Sequence, residues 1–140
     1  MTDSKYFIDT APYIYYLESN DELAKKMEIF FSEEYKANSS FVTSVITVEE
    51  YLVYPYRNND NECVARFHRF IEDVGTKVVH VDERIADEAA RILAKYQSFK
   101  AMDALQLATA KVMQCKGFVT NDKQLKQYTD IKIILVEDLK

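Results

Sequence analysis

The sequence predicts an α/β chain: a parallel sheet sandwiched between two layers of helices, folded as one domain over residues 1–140. Three observations predict it. Short apolar runs alternate with longer amphipathic stretches from one end of the chain to the other, the pattern of strands joined by helical crossovers. Gly and Pro number two each, too few for a loop-rich or all-β chain. The 140 residues are 48% apolar, which supplies a sizeable core for a single domain. The crossovers of such a sheet are right-handed.

Taken in order, Tyr6-Phe7-Ile8 is a short buried strand ending at Asp9. Thr10 and Pro12 open a helix, Pro12 being suited to a first turn, with Tyr13, Ile14, Tyr16 and Leu17 as its apolar stripe. Ser19-Asn20-Asp21 breaks it, and Asn20 or Asp21 caps a second helix over Glu22–Tyr35, whose Leu23, Met27, Phe30 and Phe31 keep a 3.6-residue period. Phe41-Val42-Thr43 is the second strand. Thr47 and Glu50 have capping-box spacing, which predicts a helix over Thr47–Val53 closed by Pro55. Arg57 to Asn61 is a polar loop.

Asn61–Val74 is an amphipathic helix ended by Gly75. Val78–Val81 is the third strand, after which Asp82 caps a helix running to Tyr96. The stretch from Lys100 to Ala110 then reads as a helix apolar on nearly every side, interrupted only by Gln106, Thr109 and, just beyond, Lys111. Such a helix is normally buried, yet Asp103 stands in its first turn. A buried carboxylate needs donors or a cation, so Asp103 is either a cap or faces a positive charge from outside the chain. Gly117 follows, then the strand Phe118-Val119 and the segment Thr120-Asn121-Asp122. Lys123–Tyr128 is a short helix, Ile131–Val136 the last strand, and residues 137–140 a stub.

Lys plus Arg number 18 and Asp plus Glu 23, a net charge of −5 that argues against a DNA-coating role but leaves room for a nuclease whose acids gather at a metal. Cys63 and Cys115 lie too far apart to make a metal-ligand motif and read as reduced thiols. The first residues lack a signal-peptide pattern, and no apolar run approaches ~18 residues. The expectation is a cytoplasmic protein without a membrane segment.

Acids follow three of the apolar runs: Asp9, Asp82 and Asp122. Ligands of open parallel sheets bind outside the carboxyl ends of strands, where strand order reverses, so Asp9 and Asp122 are candidates by position. Asp82 begins an ordinary helix start, Asp-Glu-Arg-Ile, and reads as a cap. Each acid also has a plain alternative as a turn former, cap or solvated side chain; their joint occurrence carries the case.

Four segments, Tyr6-Phe7-Ile8-Asp9-Thr10, Thr43 to Glu50, Met102-Asp103-Ala104-Leu105-Gln106-Leu107-Ala108-Thr109-Ala110 and Phe118-Val119-Thr120-Asn121-Asp122, resemble the signature segments of PIN domains, and among them the VapC-type toxins. The resemblance spans the chain in order. It implies a PIN-like three-layer sandwich with a central five-stranded parallel sheet, the first strand in the middle and the third at an edge, which would keep Asp82 away from the site. It further implies a ribonuclease dependent on Mg²⁺ or Mn²⁺, with catalytic and metal-binding acids at Asp9, Glu50, Asp103 and Asp122 and supporting hydroxyls at Thr10 and Thr120. Asp9 and Asp103 would be direct ligands, Glu50 and Asp122 ligands or holders of metal-bound water. Glu49 and Glu50 are adjacent and about 100° apart on a helix, so both cannot easily face one ion; the segment match favours Glu50. The implied partners are an RNA substrate, a small antitoxin whose C-terminal segment covers the site, and a second copy in a homodimer.

Carboxylates alone suit this chemistry. Hard cations bind carboxylate oxygens and keep waters, and they activate water for attack at phosphorus without a protein nucleophile. The only histidines, His68 and His80, read as surface and strand residues. Lys5, Arg57, Lys100, Lys111 and Lys123 are candidate phosphate contacts. Tyr13, Tyr16 and Tyr56 are candidates for stacking on bases, although a core or interface place suits them better. A dehalogenase-type phosphatase is excluded by Ala11 where a second Asp is needed, and a receiver domain by Thr10 in place of an acid. The remaining alternative is a PIN-like RNA-binding or RNA-processing module not paired with an antitoxin, or a protein acting mainly through partners. The helices at Glu22–Tyr35 and Asn61–Val74 are candidate docking faces or ordinary core helices.

Overall fold

Along the first strand, Tyr6 and Ile8 enter one apolar cluster and Phe7 the other. Phe41 and Val42, and likewise Phe118 and Val119, divide in the same way. Strands buried on both faces lose the polar half of the alternation, which is why they read as continuous apolar runs. The computed structural model, describing residues 4–140, assembles these strands as β1 (Lys5–Ile8), β2 (Ser40–Ser44), β3 (Lys77–Val79), β4 (Gly117–Thr120) and β5 (Lys132–Leu135). All pair in parallel, in the order β3-β2-β1-β4-β5. The first strand is central and the third is at an edge, as the family resemblance implies. The N-terminal reading against a signal peptide rests partly on residues 1–3, outside the described residues.

Six helices cover the sheet: α1 (Thr10–Glu18), α2 (Glu22–Lys36), α3 (Val45–Arg57), α4 (Asn61–Asp73), α5 (Glu83–Lys95) and α6 (Ala101–Val112). Met27, Phe30 and Phe31 of α2 pack with Tyr13, Tyr51 and Phe67 on one face. Ile85, Ile92, Ala104 and Leu107 of α5 and α6 pack with Phe7 and Phe118 on the other. The apolar stripes of α2 and α4 are thus spent on the core, although Ile29 and Tyr35 of α2 stay exposed. Among the described residues no helix is long and apolar enough to cross a membrane. Cys63 and Cys115 are buried free thiols, and burial pushes the Cys115 thiol up to about 12.

Several boundaries differ from the sequence expectation. The helix expected at Thr47 begins at Val45, where Ser44 Oγ accepts the Ile46 N–H at 3.1 Å. The capping-box reading of Thr47 and Glu50 is therefore corrected: Thr47 is fully buried inside the helix, and burial of Ile46 and Thr47 outweighs the strand preference of the β-branched run. Pro55 does not close the helix, which continues to Arg57. Pro55 removes one donor from the last full turn; the chain leaves through Asn59 at φ 52, with Asp60 N–H donating to the Pro55 carbonyl at 2.8 Å. The strand expected over Val78–Val81 stops at Val79, so His80 lies outside it and is exposed. Lys123–Gln127 is a 3-10 turn, and Val136 belongs to a second such turn, not to β5. Asp82 is a cap as expected, its Oδ1 accepting the Ile85 N–H at 2.9 Å.

Candidate active site

The chain runs from β1 outward through β2 to β3, then returns to build β4 and β5 on the other side. Strand order reverses at β1, and the crevice at its carboxyl end is where parallel sheets place ligands. Asp9 follows β1 directly. Its backbone N–H donates to Val119 O of β4 at 2.9 Å, and it serves as the N-cap of α1. Its Oδ1 accepts from Thr10 N at 2.9 Å and, more distantly, from Gln106 Nε2 at 3.4 Å; its Oδ2 accepts from Thr120 Oγ1 at 2.8 Å. Burial pushes the Asp9 carboxyl up to about 6 against the pull of the Thr10 and Thr120 donors, and the charges of Glu50 and Asp103 push in the same direction as burial.

The other three acids are set around it. Thr10 Oγ1 donates to Glu50 Oε1 at 2.6 Å, which singles out Glu50 rather than Glu49 as the α3 carboxylate turned toward Asp9. Asp103 lies in the first turn of α6, whose N-cap is Lys100 without a side-chain bond; the Asp103 carboxylate accepts the Lys100 backbone N–H, so it caps the helix from inside and faces the other acids as well. Its carboxyl is raised by burial first, then by Asp122, with Glu50 adding to it and the charge and backbone N–H of Lys100 opposing. Asp122 is exposed; its Oδ1 accepts from Gln124 N at 3.0 Å while its own N–H donates to Thr120 Oγ1 at 3.2 Å. The four carboxylates thus act on one another electrostatically, and Thr10 and Thr120 tether two of them.

Among the described residues, no three His, Cys, Asp or Glu side chains close into a compact ion-holding group. The donor chemistry nevertheless fits a hard divalent cation. It is oxygen throughout, and Mg²⁺ bridges to its site through retained waters instead of requiring a dedicated protein cage. A carboxylate offers about four lone-pair positions; the three bonds to Asp9 leave one for a cation.

The structure adds residues that the sequence reading did not select. Gln106, on α6 one turn beyond Asp103, is buried and touches Asp9, Thr47 and Ser44. Its signal was an amide within an otherwise apolar helix stretch on the same face as Asp103. Among the candidate cations, Lys100 acts directly on Asp103. Lys5 begins β1, at the opposite end from Asp9, and its Nζ donates to Met113 O at 3.3 Å. Lys111 closes α6 at the far end, paired with Glu88 at 3.2 Å and Asp130 at 2.8 Å. Lys123 pairs with Glu137 at 3.3 Å, and the Arg57 guanidinium lies 5.7 Å from the Tyr54 ring centre. Tyr13 is wholly buried and Tyr16 packs on Phe31 and Phe70, which removes both as stacking platforms; Tyr56 is exposed.

A family model for the PIN domain matches residues 6–131. Solved structures share the fold. VapBC2 from Rickettsia felis, bound to a promoter DNA fragment, aligns with a TM-score of 0.76 at 13% identity, over 94% of this chain and 98% of that one. FitAcB from Neisseria gonorrhoeae aligns with a TM-score of 0.76 at 18% identity, over 96% and 99%. VapC20 from Mycobacterium tuberculosis, a sarcin-ricin loop cleaving toxin, aligns with a TM-score of 0.69 at 15% identity, over 91% and 98%. No curated protein matches the chain in sequence.

Proposed function

The chain belongs to the PIN domain family, and on that premise we propose that it is a metal-dependent endoribonuclease, the toxin of a toxin–antitoxin pair. The observation that supports this most is the gathering of Asp9, Glu50, Asp103 and Asp122 at the switch point of the sheet, where a half-buried Asp9 has its carboxyl pushed up to about 6 by desolvation. Two structural neighbours, a complex from Klebsiella pneumoniae and VapBC-5 from Mycobacterium tuberculosis, are toxin–antitoxin systems by name, and VapC20 is a sarcin-ricin loop cleaving toxin. The partners that go with this reading are an RNA substrate, a small antitoxin and a second copy of the chain in a homodimer, all in the cytoplasm.

Asp9 and Asp103 would hold Mg²⁺ or Mn²⁺ directly, with Glu50 and Asp122 as ligands or as acceptors for its waters. When bound, such an ion lowers the pKa of a water and offsets negative charge developing on the phosphate. The chain's own contribution is arrangement. Thr120 and the Thr10 N–H fix the Asp9 carboxylate, the Thr10 hydroxyl fixes Glu50, and Asp122 N–H in turn orients Thr120. Lys100, beside Asp103, supplies a positive charge for a scissile-strand phosphate.

The test is cleavage of a structured RNA with and without Mn²⁺, by the wild type and by Asp103→Asn. The wild type is expected to cut only with the ion. The variant is expected to fall by about a thousandfold or more, since several kcal/mol of charge stabilisation are lost and each ~1.4 kcal/mol is tenfold. RNA binding without cleavage under every condition would favour the non-catalytic module instead.

A further inference from the structure

Five of the buried polar side chains, Thr10, Ser44, Thr47, Gln106 and Thr120, form one hydrogen-bonded chain ending on Asp9 and Glu50. Gln106 is its hub. Ser44 Oγ, which accepts from Ile46 N, donates to Gln106 Oε1. Gln106 Nε2 donates to Thr47 Oγ1 at 2.8 Å and toward Asp9 Oδ1 at 3.4 Å. The orientation of the amide follows from its neighbours, because the reversed amide would turn a carbonyl oxygen on the Asp9 carboxylate and leave both as acceptors. The hydroxyls of Thr10 and Thr47 are 3.4 Å apart. With the single Thr10 proton committed to Glu50 at 2.6 Å, the proton between the two hydroxyls comes from Thr47. The protons of Ser44, Gln106, Thr47 and Thr10 therefore run toward the two carboxylates, and Thr120 meets Asp9 from β4.

A helix of Ala and Leu needs no amide for packing, and a buried amide is expensive unless bonded. What the amide adds is a connection. It joins α6, which carries Asp103, to the first turn of α3, the helix that carries Glu50 in its next turn, and to Asp9 at the end of β1. These three acids come from segments far apart in sequence, and Gln106 spans 97 residues to Asp9 and 59 to Thr47.

We propose that Gln106 is the positioning residue that holds Asp9, Glu50 and Asp103 in common register for the ion. It rests on the nuclease reading above and touches neither the RNA nor the reacting phosphate.

The experiment uses Gln106→Met, which keeps length and removes the bonds, Thr47→Val, which breaks the same link from the other side, and the double variant. Mn²⁺ affinity by calorimetry, kcat and KM on RNA, and urea stability are measured for each. Gln106→Met and Thr47→Val are each expected to lower Mn²⁺ affinity and kcat by about 10–100-fold, with KM for RNA unchanged. The double variant is expected to be no more active than Gln106→Met, since the Thr47 bond to Thr10 that survives in the single variant is lost as well and Ser44 keeps its stranded donor in both. Recovery of affinity and kcat with stability in the double variant would show a packing role and overturn the proposal. So would a Gln106→Met protein that matches the wild type in both, which leaves the nuclease reading standing. A wild type that binds Mn²⁺ without cutting RNA defeats the nuclease reading alone, and the Mn²⁺ affinities then decide on Gln106. A wild type that binds no Mn²⁺ defeats both. Should Gln106→Met fail to fold, Thr47→Val carries the same comparison.

Discussion

Asp9→Asn is expected to abolish RNA cleavage and, in metal-free buffer at pH 8, to raise the melting temperature by several degrees. Burial lifts the Asp9 carboxyl from 3.8 to about 6, so the folded chain holds this proton at pH values where the unfolded chain has released it. The associated stability is fully present below the unfolded value, is lost as pH rises through the folded one, and is absent above it. Across that window it amounts to about 1–3 kcal/mol. Asparagine removes the charge and keeps an acceptor for Thr10 N–H, while its amide N–H₂ can meet a Thr120 hydroxyl turned to accept. The stability advantage of the variant should therefore shrink toward zero near pH 4. Millimolar Mn²⁺ should raise the wild type and not the variant, by linkage to an ion that binds only the folded state. Melting curves at pH 4 and pH 8, with and without Mn²⁺, check the four corners of this expectation; an asparagine variant less stable than wild type at pH 8 would count against it.

Phe7→Ala is expected to cost about 3–5 kcal/mol, a large part of the ~5–15 kcal/mol that holds a typical domain folded. Phe7 is wholly buried on the central strand and stacks on Phe118 with ring centres 4.9 Å apart and planes 4° apart. Sheet neighbours fix both rings, so little can move to fill the space an alanine leaves. The comparison is Tyr54→Ala, at a side chain 65% exposed, where the change should stay within ~0.5 kcal/mol. Urea midpoints at constant m-value separate the two.

The sheet was legible because its strands are buried on both faces and so stand out as short apolar runs between amphipathic stretches. Asp82 was legible as a cap because capping is a local bond, three residues long. The α3 boundaries were not. Whether Val45 to Thr47 winds as helix depends on what buries Ile46 and Thr47, and that is decided by elements distant in sequence. Pro55 misled for a related reason, since a missing donor in the last turn is tolerable where the chain was about to leave the helix at Asn58 and Asn59. Among the site residues, the acids carried a motif-level signal from the family resemblance. Gln106 did not, because its meaning lies in bonds to Ser44, Thr47 and Asp9, which are remote in sequence. Lys5 and Lys111 were drawn in by their nearness to signature segments; a strand or a three-turn helix is long enough to put such neighbours at the wrong end.

The central claim is that acids scattered along the chain make one cation site. Calorimetric titration of Mn²⁺ into the wild type, Asp9→Asn and Asp103→Asn tests it most directly. Saturable binding by the wild type, weakened at least about tenfold in each single variant, is the predicted result. Equal Mn²⁺ affinity in all three proteins, or none in the wild type, would contradict it.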